Sequence, residues 1–300
     1  MPPAPPQLAQ VIAMGLAEDL GADRDVAADV TAVATVPADT VATAAFVPRD
    51  AGVIAGLDVI AETYGQLDPA VTVRLLASDG DQAVPGVAVA EVSGPARAVL
   101  AGERTALNLL THLSGIATTT RGYVDAVSPH PCAVRDTRKT LPGLRTLQKA
   151  AVTAGGGVNH RMSLVDGMLV KDNHVAAAGG MAAAAAAALA GADGLPVQIE
   201  VDSLDQLDVA LQAGAASVLL DNFSLADTRE GVARCRAAGR AVFVESSGGI
   251  TLQTVRDLAA AGVDAVAVGA LTHSAGALDI GLDIHLGSHT TRATRTGEDF

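Results

Sequence analysis

Beyond residue 131 the chain repeats one unit, in which a short apolar run closes on a polar or very small residue and a helix-compatible stretch follows. The runs lie at 133–135, 168–170, 197–199, 217–220, 241–244 and 265–268. Taking Arg138, Lys171, Glu200, Asp221, Ser246 and Gly269 as the closing residues gives intervals of 33, 29, 21, 25 and 23 residues. Each interval holds a β-strand and a crossover helix, the connection that parallel strands require. The repeat therefore predicts a parallel α/β sheet of barrel type, with its chemistry just past the strand C-termini. Six runs are clear and a seventh falls near 158–162. That is too few for a regular eight-stranded barrel, so an incomplete, open barrel is expected.

Upstream, residues 8–20 carry apolar positions at helical spacing, and 29–48 reads as a helix followed by strands. An α and β mixture continues through 53–64, 71–76 and 87–92, with DGD and PG turns between. From 96 to about 126 only Ser114-Gly115 interrupts a helical pattern, which predicts a long or broken connector carrying Arg104 near its start. From about 285 the chain is polar and without pattern, and 289–300 is expected to be a flexible tail.

Charge is distributed unevenly. The chain has a net charge of −13, which argues against nucleic acid as a partner because a polyanion needs a basic footprint. Yet residues 135–174 carry seven Arg or Lys against three Asp, and all three lysines, Lys139, Lys149 and Lys171, fall there. Arg145 and Lys149, spaced i and i+4 after Pro142-Gly143, read as a solvated helix face. The others sit at strand ends or in glycine-rich loops, where they converge on a pocket for a small substrate with several negative charges.

Glu200 and Asp221 close neighbouring runs, IEVD and LLDN, and two carboxylates at a barrel mouth suit Mg2+ shared with a phosphate. The alternative is that each caps the helix that follows. Ser246-Ser247-Gly248-Gly249, ahead of a helical stretch at 251–261, and Gly269-Ala270 offer backbone N–H groups to an anion after the last two strands. Gly155-Gly156-Gly157 is either a flexible loop or a place where backbone approaches ligand. Cys132 and Cys235 follow no metal-ligand spacing and read as reduced structural thiols. The N-terminal residues MPPAPPQ lack the pattern of a signal peptide, and the apolar run at 181–190 is about half the ~20 residues a membrane span needs. A cytoplasmic protein without a membrane partner is expected.

Seven motifs together resemble the quinolinate phosphoribosyltransferase family, type II phosphoribosyltransferases, over nearly the whole chain. They are ERTALNLLTHLSGIAT at 103–118, DTRKTLPGLRTLQKAAVTAGGGVNHR at 136–161, VKDNH at 170–174, EVDS at 200–203, LLDNFS at 219–224, ESSGGI at 245–250 and AVGALTHS at 267–274. The resemblance implies an N-terminal α/β sandwich domain over 1–113, completed by about 275–288, and an incomplete barrel over 114–274. It implies transfer of the phosphoribosyl group of 5-phosphoribosyl 1-diphosphate (PRPP) to quinolinate with Mg2+ and decarboxylation, in de novo NAD biosynthesis. Arg138, Lys139, His160, Arg161 and Lys171 would line the quinolinate pocket, with Arg104 supplied by the partner chain of a dimer. Glu200 and Asp221 would serve the ribose hydroxyls and the metal, and Lys139 and Lys171 would also contact PRPP. Ser246, Ser247, Gly248, Gly249, Gly269 and Ala270 would hold the 5-phosphate.

Quaternising the pyridine nitrogen makes it an electron sink for loss of the adjacent carboxylate, with Lys139 or Lys171 as candidate proton source. Rival readings are a phosphoribosyltransferase for another acidic heterocycle, including a paralogue associated with molybdenum metabolism, and a Schiff-base aldolase with Lys171 as nucleophile. A non-catalytic binding protein is the third.

Overall fold

The computed structural model describes residues 6–286, so the tail expected at 289–300 lies outside the described residues. The elements in chain order are α1 (Pro6–Leu20), a 3-10 turn (Val26–Ala28), α2 (Val30–Thr35), β1 (Val41–Pro48), β2 (Gly52–Val53), α3 (Asp58–Leu67), β3 (Thr72–Leu75), β4 (Gln82–Ala83), β5 (Ala90–Pro95) and α4 (Ala96–Val127). There follow β6 (Ala133–Arg135), α5 (Arg145–Ala154), β7 (Met168–Val170), α6 (Asp172–Ala178), α7 (Met181–Ala190), β8 (Val197–Val201), α8 (Leu204–Gln212) and β9 (Ser217–Asp221). The last are α9 (Leu225–Ala237), β10 (Phe243–Ser247), α10 (Val255–Ala260), β11 (Ala265–Ala267), α11 (Ala270–His273) and β12 (Ile280–Leu286).

Two large sheets result. One is antiparallel with order β12-β1-β5-β3, and the other is parallel with order β6-β11-β10-β9-β8-β7. The parallel sheet is an open barrel whose gap lies between β6 and β7. The expected seventh run reaches into that gap only as one parallel bridge, Arg135 to Val158. Residues assigned to the tail from about 285 prove partly ordered, because His285 pairs with Thr43 in β12.

The connector is one continuous helix of 32 residues, not a broken one. It stops at Ser128 because a residue preceding proline is pushed out of the helical region. Gly115 is tolerated inside α4 for a packing reason, since a Cβ there would lie 1.9 Å from the Gly276 carbonyl oxygen. The helix serves two hydrophobic cores. Val99, Leu107 and Leu110 pack with Phe46, Ile60 and Tyr64 of the antiparallel half, while Leu113, Ile116 and Tyr123 join the barrel core.

Strand alternation divides the barrel residues by face. Val134, Ile199, Val218, Leu220, Val244 and Val266 form the buried row under the helices. Each contributes roughly 1.5–3 kcal/mol of apolar burial. The opposite row, pointing into the barrel, contains Gln198, Glu200, Leu219, Asp221, Glu245 and Ser247, with Glu200, Leu219 and Glu245 in register across three strands. Burial pushes the Cys132 thiol up to about 12 and that of Cys235 up to about 11, so both are unreactive packing groups, as their isolation in the sequence suggests. Among the described residues no single helix is long and apolar enough to cross a membrane.

Replacing Gly115 by Ala is expected to lower stability by about 1–3 kcal/mol despite the better helix propensity, because backbone must move to admit the methyl group. A urea unfolding series checks this.

Candidate active site

A cavity of about 340 Å³ opens at the C-terminal ends of the barrel strands. Arg138 and Lys139 enter it from the loop after β6, His160 and Arg161 from the loop after the Val158 bridge, and Lys171 from the end of β7. Glu200, Asp221 and Ser247 come from the ends of β8, β9 and β10, and Leu169, Leu219 and Ala267 supply an apolar floor. Thr137 also lines the cavity; its hydroxyl accepts the Lys139 backbone N–H (3.0 Å). A cleft of similar size, about 330 Å³, lies between α1 and α4, but Glu18 and Asp19 are the only charged side chains on its wall. The barrel mouth alone of these two gathers opposite charges.

Neither acid is spent on capping the helix that follows it. Helices α8 and α9 are capped by Ser203 and Ser224, which accept from the N–H groups of Gln206 and Asp227, so neither Glu200 nor Asp221 is a cap. Lys171 Nζ donates to Glu200 Oε2 at 2.6 Å, and Asp221 Oδ2 accepts from the Asn222 amide at 2.8 Å. Asn222 holds a left-handed conformation (φ 56°) and donates its N–H to the Ser247 carbonyl oxygen at 2.9 Å. A Cβ on Gly248 (φ 96°) would stand 2.2 Å from Asn222 Oδ1, so glycine is required here by a neighbour.

What shapes the basic wall is a buried pair. Lys149 and Asp136 are both fully buried and bonded to each other. Asp136 Oδ1 also accepts the His160 backbone N–H (2.8 Å), while Lys149 Nζ donates to the His160 carbonyl oxygen (2.8 Å). In the amide orientation that satisfies both partners, Asn159 donates to Asp136 Oδ2 and to the Lys149 carbonyl oxygen. Burial pushes the Asp136 carboxyl up and the Lys149 ammonium down, each opposed by the bond to its partner. The solvated face expected at Arg145 and Lys149 is therefore corrected. Lys149 anchors the loop from inside, and Arg145 reaches the Met162 carbonyl oxygen at 3.1 Å and Thr140 Oγ1 at 2.9 Å. Burial and the nearby Arg138 hold Arg161 below its ordinary value, and Arg161 donates to the Gly167 carbonyl oxygen at 2.8 Å.

Several sequence expectations shift. Ser246 pairs with Leu220 and Val266 in the outward row, so its buried side chain is off the cavity, whereas Ser247 lines it. The helix expected over 251–261 is only Val255–Ala260 and begins six residues after Gly249, so it does not supply the expected helix N-terminus to that loop. Gly248, Gly249, Gly269 and Ala270 lie just past the lining strands. A side chain at Gly269 would press on the Lys139 methylenes at 3.0 Å. Gly155 and Gly157 are required by close packing, their absent Cβ atoms standing 2.5 Å from the Ala117 carbonyl oxygen of α4 and 2.7 Å from Val152 of α5 respectively. Arg104 is 64% exposed on α4 and does not line this cavity.

Two family models cover this arrangement. The quinolinate phosphoribosyl transferase C-terminal domain matches residues 116–283, and the N-terminal domain of the same family matches 29–114. The chain belongs to the quinolinate phosphoribosyltransferase family. A nicotinate-nucleotide pyrophosphorylase (carboxylating) of Mycobacterium leprae is 49% identical over 260 residues, covering 85% of this chain and 91% of that one. A probable enzyme of the same name from Bacillus subtilis is 41% identical over 248 residues, 82% of this chain and 85% of that one. The solved nicotinate-nucleotide pyrophosphorylase of Francisella tularensis superposes with a TM-score of 0.86 at 35% identity, covering 94% and 98% of the two chains.

Membership of the quinolinate phosphoribosyltransferase family implies dependence on Mg2+. Among the described residues no three His, Cys, Asp or Glu side chains form a cation cage. Glu200 and Asp221 nonetheless fit this ion, which takes one or two carboxylates and fills its remaining positions with water and substrate phosphate.

Removing one partner of the buried pair should be severe. Lys149→Met is expected to cost about 3–5 kcal/mol by stranding Asp136, and adding Asp136→Asn should recover part of that loss. Denaturant unfolding of the single and double variants measures both.

Proposed function

We propose that the chain transfers the phosphoribosyl group of PRPP to quinolinate with decarboxylation, giving nicotinate mononucleotide, pyrophosphate and carbon dioxide. The observation that carries this reading is the convergence of Arg138, Lys139, Arg161 and Lys171 with Glu200 and Asp221 in one cavity. Two adjacent carboxylates on one small ring enter an enclosed site only where several cations replace their water. Planar guanidinium groups suit that task, and Arg138 and Arg161 are assigned to it.

The pyridine nitrogen attacks ribose C1 as the bond from C1 to the pyrophosphate oxygen breaks. Glu200 and Asp221 face the positive charge that develops on the ribose. Glu200 and Asp221 would also hold Mg2+, which would supply charge neutralisation for the departing pyrophosphate. Ser247, Gly248, Gly249, Gly269 and Ala270 are assigned to the 5-phosphate, with Ser246 contributing only backbone. Loss of carbon dioxide leaves an electron pair at C2 beside the quaternised nitrogen, and a proton must arrive there. Lys139 is favoured as its source, because Lys171 is engaged with Glu200 while Lys139 has no ion pair among the described residues.

The exposed Arg104 is assigned to the site of a partner in a dimer acting in the cytoplasm. The change of α4 from one core to the other between Leu110 and Leu113 supports a division of the chain near 113/114, and Leu278, Ile280 and Leu282 pack into the first core, which supports the return of the chain to the first unit after about 275.

Incubation of quinolinate, PRPP and Mg2+ with the protein should release carbon dioxide and nicotinate mononucleotide in equal amounts; no turnover would overturn the reading. Lys139→Ala is expected to lower kcat by about a hundredfold or more while sparing PRPP binding. Mixing Arg104→Ala with Lys171→Ala chains should restore up to about one quarter of wild-type activity, since half the dimers then hold one intact site. An inactive mixture would refute a shared site.

A further inference from the structure

Beneath the ligand-facing residues the barrel interior is polar. Glu245, fully buried on the central strand β10, accepts from Arg135 Nη1 at 2.9 Å and from Gln198 Nε2 at 2.7 Å, both on Oε2. Gln198 Oε1 then meets His160 Nε2 at 3.0 Å, and His160 Nδ1 accepts the Arg161 backbone N–H at 2.7 Å. The polarity of this chain runs one way. A carboxylate paired with arginine only accepts, so the Gln198 amide turns its NH2 toward Glu245 and its oxygen toward His160. His160 must then carry its proton on Nε2, leaving Nδ1 bare for the Arg161 N–H. With its backbone N–H on Asp136 and its carbonyl on Lys149, every polar group of His160 is engaged.

Arg135, His160, Arg161 and Gln198 also line a second cavity of about 190 Å³, which enters from the opposite end of the barrel beside Met168, Val197 and Ser217. The His160 layer is thus a thin polar partition between two hollows, held in place by its hydrogen bonds. Burial also keeps the imidazole below its ordinary value and therefore neutral.

We propose that Glu245 and Gln198 are positioning residues for the pyridine-dicarboxylate subsite: they fix His160 as the Nε2–H tautomer, whose bare Nδ1 locks the Arg161 backbone and so sets where that side chain, braced on the Gly167 carbonyl oxygen, meets the cavity wall near Arg138. This rests on the reading of the cavity as a quinolinate site. It assigns His160 an orienting role, since neither ring nitrogen is free to carry a proton to C2.

The test uses the full chain labelled with 15N at histidine. The wild-type His160 spectrum at pH 7 should show a neutral ring protonated on Nε2; a ring protonated on Nδ1, or an imidazolium, would overturn the proposal. In Glu245→Gln and Gln198→Leu the single-tautomer signature should be lost, and KM for quinolinate should rise at least about tenfold, with kcat and KM for PRPP changed far less. Folded variants with wild-type KM for quinolinate would also overturn it. If neither variant folds, the wild-type spectrum decides alone. Should the wild type fail to turn over quinolinate, the functional reading falls, while the spectrum still judges the hydrogen-bond chain.

Discussion

Gathering cations at one barrel mouth depends on the loop that carries Arg161 being held from below by a buried anion. Asp136 is that anion. It binds Lys149 of α5, the His160 backbone and Asn159 at once, tying the end of β6, one helix and the loop after the Val158 bridge into a unit. Taking both charges out of water costs several kcal/mol per ion, and only the extra hydrogen bonds to the loop make the arrangement tolerable. The pair gives position rather than net stability: it sets where Arg161 leaves the backbone.

The second system, from Arg135 through Glu245 and Gln198 to the His160 ring, approaches the same loop from the barrel axis. One system grips the main chain and the other grips the side chain. Between them they replace the strand pairing that a closed barrel would have given, because the sheet is open between β6 and β7.

Much of this was readable in the sequence, for a definite reason. Strand-plus-helix spacing survives any change of register by a residue or two, so six strands and their chemically loaded ends were visible. The mouth residues Lys139, Lys171, Glu200 and Asp221 stand at those ends. What was hidden depends on side-chain direction or on depth. Lys149 has the spacing of a solvated helix face yet is buried, because its partner Asp136 lies 13 positions earlier on a different element. Ser246 and Ser247 are adjacent in sequence but opposite in facing, and the shift of β10 to Phe243–Ser247 decides which meets the cavity. Gln198 and Glu245 carried a usable signal: in the alternating pattern of buried strands they occupy the inward row, where a polar residue needs a partner.

The pairing of β12 with β1 has a consequence for how the chain assembles. The Arg49–Asp283 contact beside that pairing spans 234 residues. All six barrel strands lie between Ala133 and Ala267 and are synthesised before β12 emerges. The antiparallel sheet therefore waits, with one flank of β1 unpaired, until residues 280–286 have left the ribosome. Such an open edge can template pairing with other chains, and its closure by β12 joins residues far apart in sequence, the kind of contact whose loop-closure entropy must be met before it adds stability.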